Sequence, residues 1–493
     1  MFTKKQLKPL LFLVPIMGLL LSLLSIHTPV VHAEANTDPI YERIQQSGEL
    51  VVGMSADYAP FEFHATVDGE DKVVGFDVSI AGKIAEDLGV KLKIEELGFD
   101  ALLGALKTGK IDMVISGMNP TPEREKEVNF TDGYMTVTQK VVVRKADADK
   151  FTSLDVLNGA AVGVQKQSDQ ETLAKAELPN SDITSLQKVP DLITNLTNEK
   201  IDAVIIEGPV ADAYAQVNKS LAVADEVHFQ DGSKEMAAAV AKNAPYLLEK
   251  INASIADIRS QKLLSGYQEE ANELMLGEGD QGFLKKYLPY YISGAGYTVF
   301  LAFIGVLFGA VMGAVLALMK LSKSRIMKLL ATIYIEYVRG TPLLVQIFIV
   351  YFGTGVLGFD MSKLAAGCIA LALNSGAYVA EIIRAGINAV NKGQLEAARS
   401  LGMNQAQAMR FIIFPQAIKN ILPALGNEFV TVIKESSVVS VIGVSELIFQ
   451  TGVVQGASFK PFIPYVIVSL IYFVLTFTIS RLLGVAERRM AND

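Results

Sequence analysis

Four runs of residues in this chain have types and spacings that bear on chemistry. Arg339-Gly340-Thr341-Pro342 and Lys434-Glu435-Ser436-Ser437 each interrupt a long apolar stretch. A charge held in hydrocarbon is expensive, so such groups face a water-filled cavity or pair with one another. Whether they touch a solute or only shape its path stays open. Glu396-Ala397-Ala398-Arg399-Ser400-Leu401-Gly402 reads as a short amphipathic helix, with Ala397, Ala398 and Leu401 on one face and Gly402 ending it in the left-handed conformation. An ordinary surface helix stopped by glycine is the alternative. Gly104-Ala105-Leu106-Lys107-Thr108-Gly109-Lys110-Ile111 has the spacing of a phosphate-cradling loop up to its lysine. Ile111 stands where a hydroxyl is needed, and the run follows a helical pattern rather than a strand, so it reads as a helix C-cap. The histidines, His27, His32, His64 and His228, show no metal-ligand spacing, and the single cysteine, Cys368, lies in an apolar segment. No cofactor, metal or catalytic group is expected on this chain, and any ATP chemistry belongs to another polypeptide.

The elements that must position these runs fall into two unlike halves. After residue 284 there are 18 Lys/Arg against 9 Asp/Glu, a balance of +9, so the whole-chain charge of −8 leaves −17 for residues 1–284. An acidic, water-filled half argues against nucleic-acid binding. Residues 1–33, with Lys4, Lys5 and Lys8, an apolar run from Pro9 to Ile26 and the small-residue site Val31-His32-Ala33, read as a signal peptide, an uncleaved anchor being the alternative. From 38 to 275, strands such as Leu50 to Met54, Ile111 to Ile115, Ala161 to Val164 and Ala203 to Ile206 alternate with helices, which predicts an α/β unit. Its two lobes, 38–141 with 232–275 and 142–231, would form a clamp with a two-strand hinge. A polar link at 276–290 follows. An all-α membrane domain, 291–490, is then read with spans at about 292–319, 329–356, 364–388, 416–447 and 462–484, each roughly long enough for the ~30 Å hydrocarbon core. Lys and Arg concentrate in the loop after the first span, in the 389–415 loop and at the C-terminus, placing those inside and the clamp outside a plasma membrane.

Glu396-Ala397-Ala398, Gly402, and then Ile412-Ile413-Phe414-Pro415 between spans resemble the cytoplasmic loop by which binding-protein-dependent ABC permeases dock on a separate ATPase. The resemblance implies coupling roles for Glu396, Ala397, Ala398 and Gly402, with ATP and Mg acting through that partner.

In the soluble half, Gly53 to Phe63, Gly75-Phe76-Asp77 and Ser116-Gly117-Met118-Asn119-Pro120-Thr121-Pro122-Glu123-Arg124 resemble the polar-amino-acid family of solute-binding proteins. The fold implied is the two-lobed, periplasmic-binding-protein-like type II clamp. A zwitterion leaving water needs donors for its carboxylate and a carboxylate for its ammonium. By this resemblance Arg124 supplies a bidentate fork, helped by amides around Gly117, Asn119 and Thr121. Glu207 takes the ammonium, and Tyr58 and Phe99 close an aromatic slot with Phe61 behind. Gln165, Lys166 and Ser168 contribute from the second lobe. Relatives that bind cationic side chains often carry a carboxylate at the position of Ser55, so glutamine is favoured over arginine or another basic amino acid.

The chain therefore reads as a fused binding protein and permease of an amino acid importer, working as a homodimer in lipid above its ATPase. A ligand-gated channel, the main rival, would split the clamp with pore segments and carry a filter loop, and this clamp is uninterrupted.

Overall fold

The computed structural model describes residues 37–67, 70–276, 283–358, 361–460 and 462–492. The expected signal segment, 1–33, lies outside them.

Lobe 1 is a five-stranded sheet with Glu49–Met54 at its heart, paired in parallel with Lys91–Glu96 and Met113–Val114. Leu50, Val52 and Met54 are fully buried, as the continuous apolar run of a strand covered on both faces requires. Lobe 2 sets Asp182–Leu186, Ala161–Gln165, Ala203–Glu207 and Met135–Arg144 side by side, with Leu221–Val223 at the edge. The ten-residue strand Met135–Arg144 is the crossover. Its first four residues pair with Ser233–Met236, and from Gln139 onward it pairs with Ala203–Glu207. The lobe boundary thus falls before residue 139 rather than at 141, because register with the lobe 2 sheet is already set there.

Of the polar link expected at 276–290, the described residues, 276 and 283–290, are helix, and the rest lie outside the described residues. Helix Leu263–Leu276 lays Ala271, Tyr267 and Leu274 on the lobe 1 core, and helix Phe283–Leu321 begins seven residues before the link was expected to end.

Among the described residues of the helical half, three helices are long and apolar enough to cross a bilayer: Phe283–Leu321, Lys363–Asn388 and Ile463–Val485. Two further helix pairs are long and apolar enough together but are bent at a short break. Arg325–Gly340 and Leu343–Val356 meet at 107°, at the Arg339-Gly340-Thr341-Pro342 break. Gln405–Ile442 and Leu447–Ser458 meet at 53°. The span expected over 416–447 is instead helix Phe414–Glu435 and a 3₁₀ turn, Ser436–Ile442, stopped by left-handed Gly443. Residues expected to connect spans form a helix of their own, Leu447–Ser458.

Helices Phe283–Leu321 and Lys363–Asn388 approach closely along Gly305, Gly309 and Gly313. A Cβ on Gly313 would lie 2.7 Å from Val379, and one on Gly309 would lie 2.9 Å from Ser375. Small residues at four-residue spacing let two backbones meet where lipid gives no hydrophobic drive for association. Phe303 and Phe308 of the first of these helices, and Phe473 and Phe477 of helix Ile463–Asn492, are exposed, as a lipid-facing surface would be.

The two halves are in contact. Leu102 and Leu106 of lobe 1 share a buried cluster with Ile347 and Tyr351 of the helical half. Lys363 pairs with Glu95 at 3.1 Å, and Lys110 Nζ donates to the Met361 carbonyl at 3.1 Å. The lysine of the abortive phosphate loop is thus a docking residue, and left-handed Gly109 caps the helix before it. Lobe 2 reaches the same half through Tyr465, whose hydroxyl donates to Asp191 at 2.6 Å, and through Tyr214, which meets Phe459 edge-on at 5.2 Å.

Candidate functional site

Thr121 caps the short helix Pro122–Glu127, accepting from the Arg124 amide at 3.3 Å, with Pro122 in the first turn where its missing N–H costs nothing. The cap fixes where the Arg124 side chain leaves the backbone. Its guanidinium lies 5.5 Å from the centre of the Phe99 ring. One terminal nitrogen donates to the Asn119 carbonyl at 2.7 Å, and the other donates to the Gln167 carbonyl at 2.8 Å. Arg124 thus crosses from lobe 1 to lobe 2, and the clamp is shut. A second cross-lobe clasp, Gln187 Nε2 donating to Asp100 Oδ2 at 3.0 Å, adjoins it. Burial lowers the guanidinium's pKa, and nearby Asp169 opposes that shift.

Tyr58 stacks on Phe61 at 6.0 Å, and Phe61 meets Phe76 edge-on at 6.1 Å. Phe61 is 1% exposed, so it supports Tyr58 from the core. Gly117, at φ +54, passes so close to Tyr58 that a Cβ would lie 3.0 Å from the ring. Asp77 holds that turn, accepting from the Gly117 amide at 2.7 Å and from the Tyr134 hydroxyl at 3.0 Å. Asn119 is buried and its side chain donates to the Glu235 carbonyl at 3.3 Å, so it offers the site its backbone.

On the lobe 2 side the expected residues separate. Ser168 caps the helix Asp169–Glu177, and its hydroxyl donates to the Gln165 carbonyl at 2.6 Å. Gln165 Nε2 is committed to the Gln187 carbonyl at 3.1 Å. Lys166 is exposed. The residue that meets Arg124 is Gln167, in the left-handed region at φ 62, and it was not among those expected. A non-glycine residue there stores strain of roughly 1 kcal/mol.

Glu207 is 2% exposed at the end of its strand. Gln170 donates to Oε1 and also to Gln139 Oε1 at 3.0 Å, while Glu207 Oε2 has no hydrogen-bond partner. Burial pushes this carboxyl up to about 8. A buried carboxylate with an orphan oxygen is costly unless a cation completes it. Gln170 and Asp169 escaped sequence reasoning because a helix-terminal Asp-Gln pair carries no pattern of its own. Asp77 was visible only as part of a motif.

In the membrane half, helix Lys392–Ser400 ends with Gly402 at φ 84, and the Met403 amide reaches back to the Ala398 carbonyl at 3.1 Å. Ala398 is buried on its own chain, whereas Glu396 and Ala397 are exposed and Leu401 is 81% exposed. Of the ionisable runs, Arg339 lies 5.6 Å from the Tyr378 ring and Lys434 is exposed.

Residues 50–270 match the family of bacterial extracellular solute-binding proteins, family 3, and residues 284–492 match the binding-protein-dependent transport system inner membrane component. A putative glutamine transport system permease protein GlnP of Rickettsia conorii is 42% identical over 212 residues, covering 42% of this chain and 97% of that protein. The arginine transport system permease protein ArtQ of Bacillus subtilis is 40% identical over 207 residues, covering 42% of this chain and 94% of that one. A solved amino acid ABC transporter substrate-binding protein from Streptococcus pneumoniae, bound to L-arginine, is 39% identical, covers 48% of this chain and 98% of its own, and superposes with a TM-score of 0.46. With both halves matched, the chain belongs to the binding-protein-dependent amino acid permeases and is the fused substrate-binding and membrane subunit of an ATP-driven amino acid importer.

Proposed function

We propose that the clamp captures a polar α-amino acid, glutamine before arginine, on the outer face of the membrane and delivers it to a path formed by two copies of the chain. Arg124 takes the carboxylate, Glu207 the ammonium, and Tyr58 and Phe99 flank the side chain. The observation that carries this reading is a guanidinium and a buried carboxyl in one closed clamp, the carboxyl left by its burial in want of a cation. A guanidinium bridges the two lobes, and a sealed carboxyl in lobe 2 keeps one oxygen without a donor. Ser55, buried and neutral, donates to Asp57 at 3.0 Å and offers no charge of its own, which favours glutamine. The arginine permease among the relatives supports the second reading. Exposed Glu396, Ala397 and Leu401 would meet the ATPase, and ATP and Mg would act there rather than on this chain.

Calorimetric titration of the full chain in lipid nanodiscs with glutamine and with arginine tests the proposal. Tight glutamine binding that Arg124→Ala abolishes is expected. Silence toward both amino acids, or normal affinity in Arg124→Ala, would overturn the assignment.

A further inference from the structure

Where both lobes meet the membrane half there is a cavity of about 210 Å³. Its walls come from three bodies: Asp57 and Phe99 of lobe 1, Lys188 and Asp191 of lobe 2, and Ser440 and Tyr465 of the permease. It is complete only while the clamp is shut and docked, since the hinge moves one lobe against the other. At this volume it falls below the ~300 Å³ at which drug-sized sites begin and suits a smaller molecule.

The cavity adjoins the capture site. Phe99 carries the Arg124 guanidinium over its ring and also lines the cavity. The Gln187–Asp100 clasp stands beside it. On the permease side the wall includes Ser440, in the 3₁₀ turn Ser436–Ile442 that follows Lys434-Glu435 in the second bent pair. The cavity therefore lies between the place where solute is held and the polar interruption of the membrane helices.

Its charges match a zwitterion. Lys188 presses its ammonium onto Gly452 so closely that a Cβ there would sit 2.2 Å from Nζ. Among the described residues no hydrogen bond or ion pair engages that ammonium. Asp57, buried and bonded to Ser55, and Asp191, three residues along from Lys188 and accepting from Tyr465, line the same cavity. Burial raises the Asp57 carboxyl, and the positive charge of Lys188 opposes that shift. Of the four carboxylates in the lining, Glu96 is held by His64 and Asp100 by Gln187, which leaves Lys188 to receive a carboxylate and Asp57 and Asp191 to receive an ammonium.

We propose that this cavity is a transfer site for the amino acid zwitterion, with Lys188 receiving the α-carboxylate that Arg124 gives up and Asp57 and Asp191 receiving the ammonium. The inference rests on the importer reading above and goes beyond it by assigning a second binding position where the clamp lobes meet the permease, beside the Arg124 and Glu207 capture site.

The test uses the full chain with its ATPase in proteoliposomes, radiolabelled glutamine and arginine in separate assays, and the variants Lys188→Gln and Gly452→Ala. The second variant displaces the ammonium from the permease side and leaves the clamp's own sequence intact. Uptake per ATP hydrolysed is expected to fall about tenfold, the loss of one charged hydrogen bond, with ligand-stimulated hydrolysis and ligand affinity unchanged. Lys188→Arg, which keeps the charge, should restore uptake. Unchanged uptake per ATP in both variants would overturn the proposal. A parallel fall of uptake and hydrolysis would also overturn it, by making Lys188 a docking contact only. Failure of the wild-type chain to take up either amino acid would strike instead at the functional reading beneath it.

Discussion

Gly355 gives a way to separate docking from capture. It lies in helix Leu343–Val356, and a Cβ added there meets only the binding domain: the Thr108 carbonyl at 2.5 Å, then Thr108 Cβ at 3.3 Å and Lys110 Cε at 3.5 Å. Relief to the 3.4 Å of ordinary contact moves lobe 1 back by 0.9 Å. The Lys363–Glu95 pair and the Lys110–Met361 hydrogen bond, each 3.1 Å, then open to about 4 Å, beyond hydrogen-bond reach. Each is worth roughly 1 kcal/mol. Together they make about 2 kcal/mol, on the order of a thirtyfold shift toward the undocked state. Alanine is the better helix former by about 1 kcal/mol, so the permease fold is not at stake. Gly355→Ala, reconstituted with the ATPase, should therefore lose most ligand-stimulated ATP hydrolysis and uptake together while titrating ligand at wild-type affinity. Wild-type hydrolysis in this variant would refute the docking geometry. A weakened ligand affinity would show that Gly355 acts on the clamp instead.

Three more outcomes are expected. Arg124→Lys keeps the charge but loses the planar fork and its cross-lobe bond, so ligand affinity should fall about 100-fold by calorimetry with the unfolding temperature little changed. Glu396→Lys should bind ligand normally and support no ATP-driven uptake, measured in vesicles. Finally, burial raises Asp77 from its ordinary 3.8 to about 7, beside Glu62, which is also raised by burial and by Asp77. A folded pKa above the unfolded one means that the native state holds the extra proton. That stabilisation is complete below about 4 and is lost as pH rises through about 7. Calorimetry of the full chain should show the binding-domain transition fall between pH 5 and 8. Asp77→Asn, which keeps an acceptor for Gly117, should flatten the slope.

Much of this was legible in the sequence because it is local. Ala203 to Ile206 is a continuous apolar run that forms a buried strand, and Gly402 adopts the left-handed cap its place after Leu401 predicts. What escaped depends on contacts between distant segments. Helix Leu447–Ser458 buries Thr451, Gly452, Gln455 and Gly456, residues that look like a polar connection until the clamp covers them. Arg124 was visible as a carboxylate receptor, but its bond to the carbonyl of Gln167 was not, since a backbone oxygen has no side-chain signature.

The glycine seam between Phe283–Leu321 and Lys363–Asn388 has a consequence for how the gene can vary. Every single-base change that replaces a glycine inserts at least a methyl group. At Gly309 and Gly313 that methyl meets the other helix at under 3.0 Å. These codons should therefore tolerate almost no missense change, whereas those for lipid-facing Phe303 and Phe308 should drift freely among apolar residues. A deep mutational scan scored by growth on the transported amino acid would trace the seam as a stripe of intolerance recurring at every fourth codon.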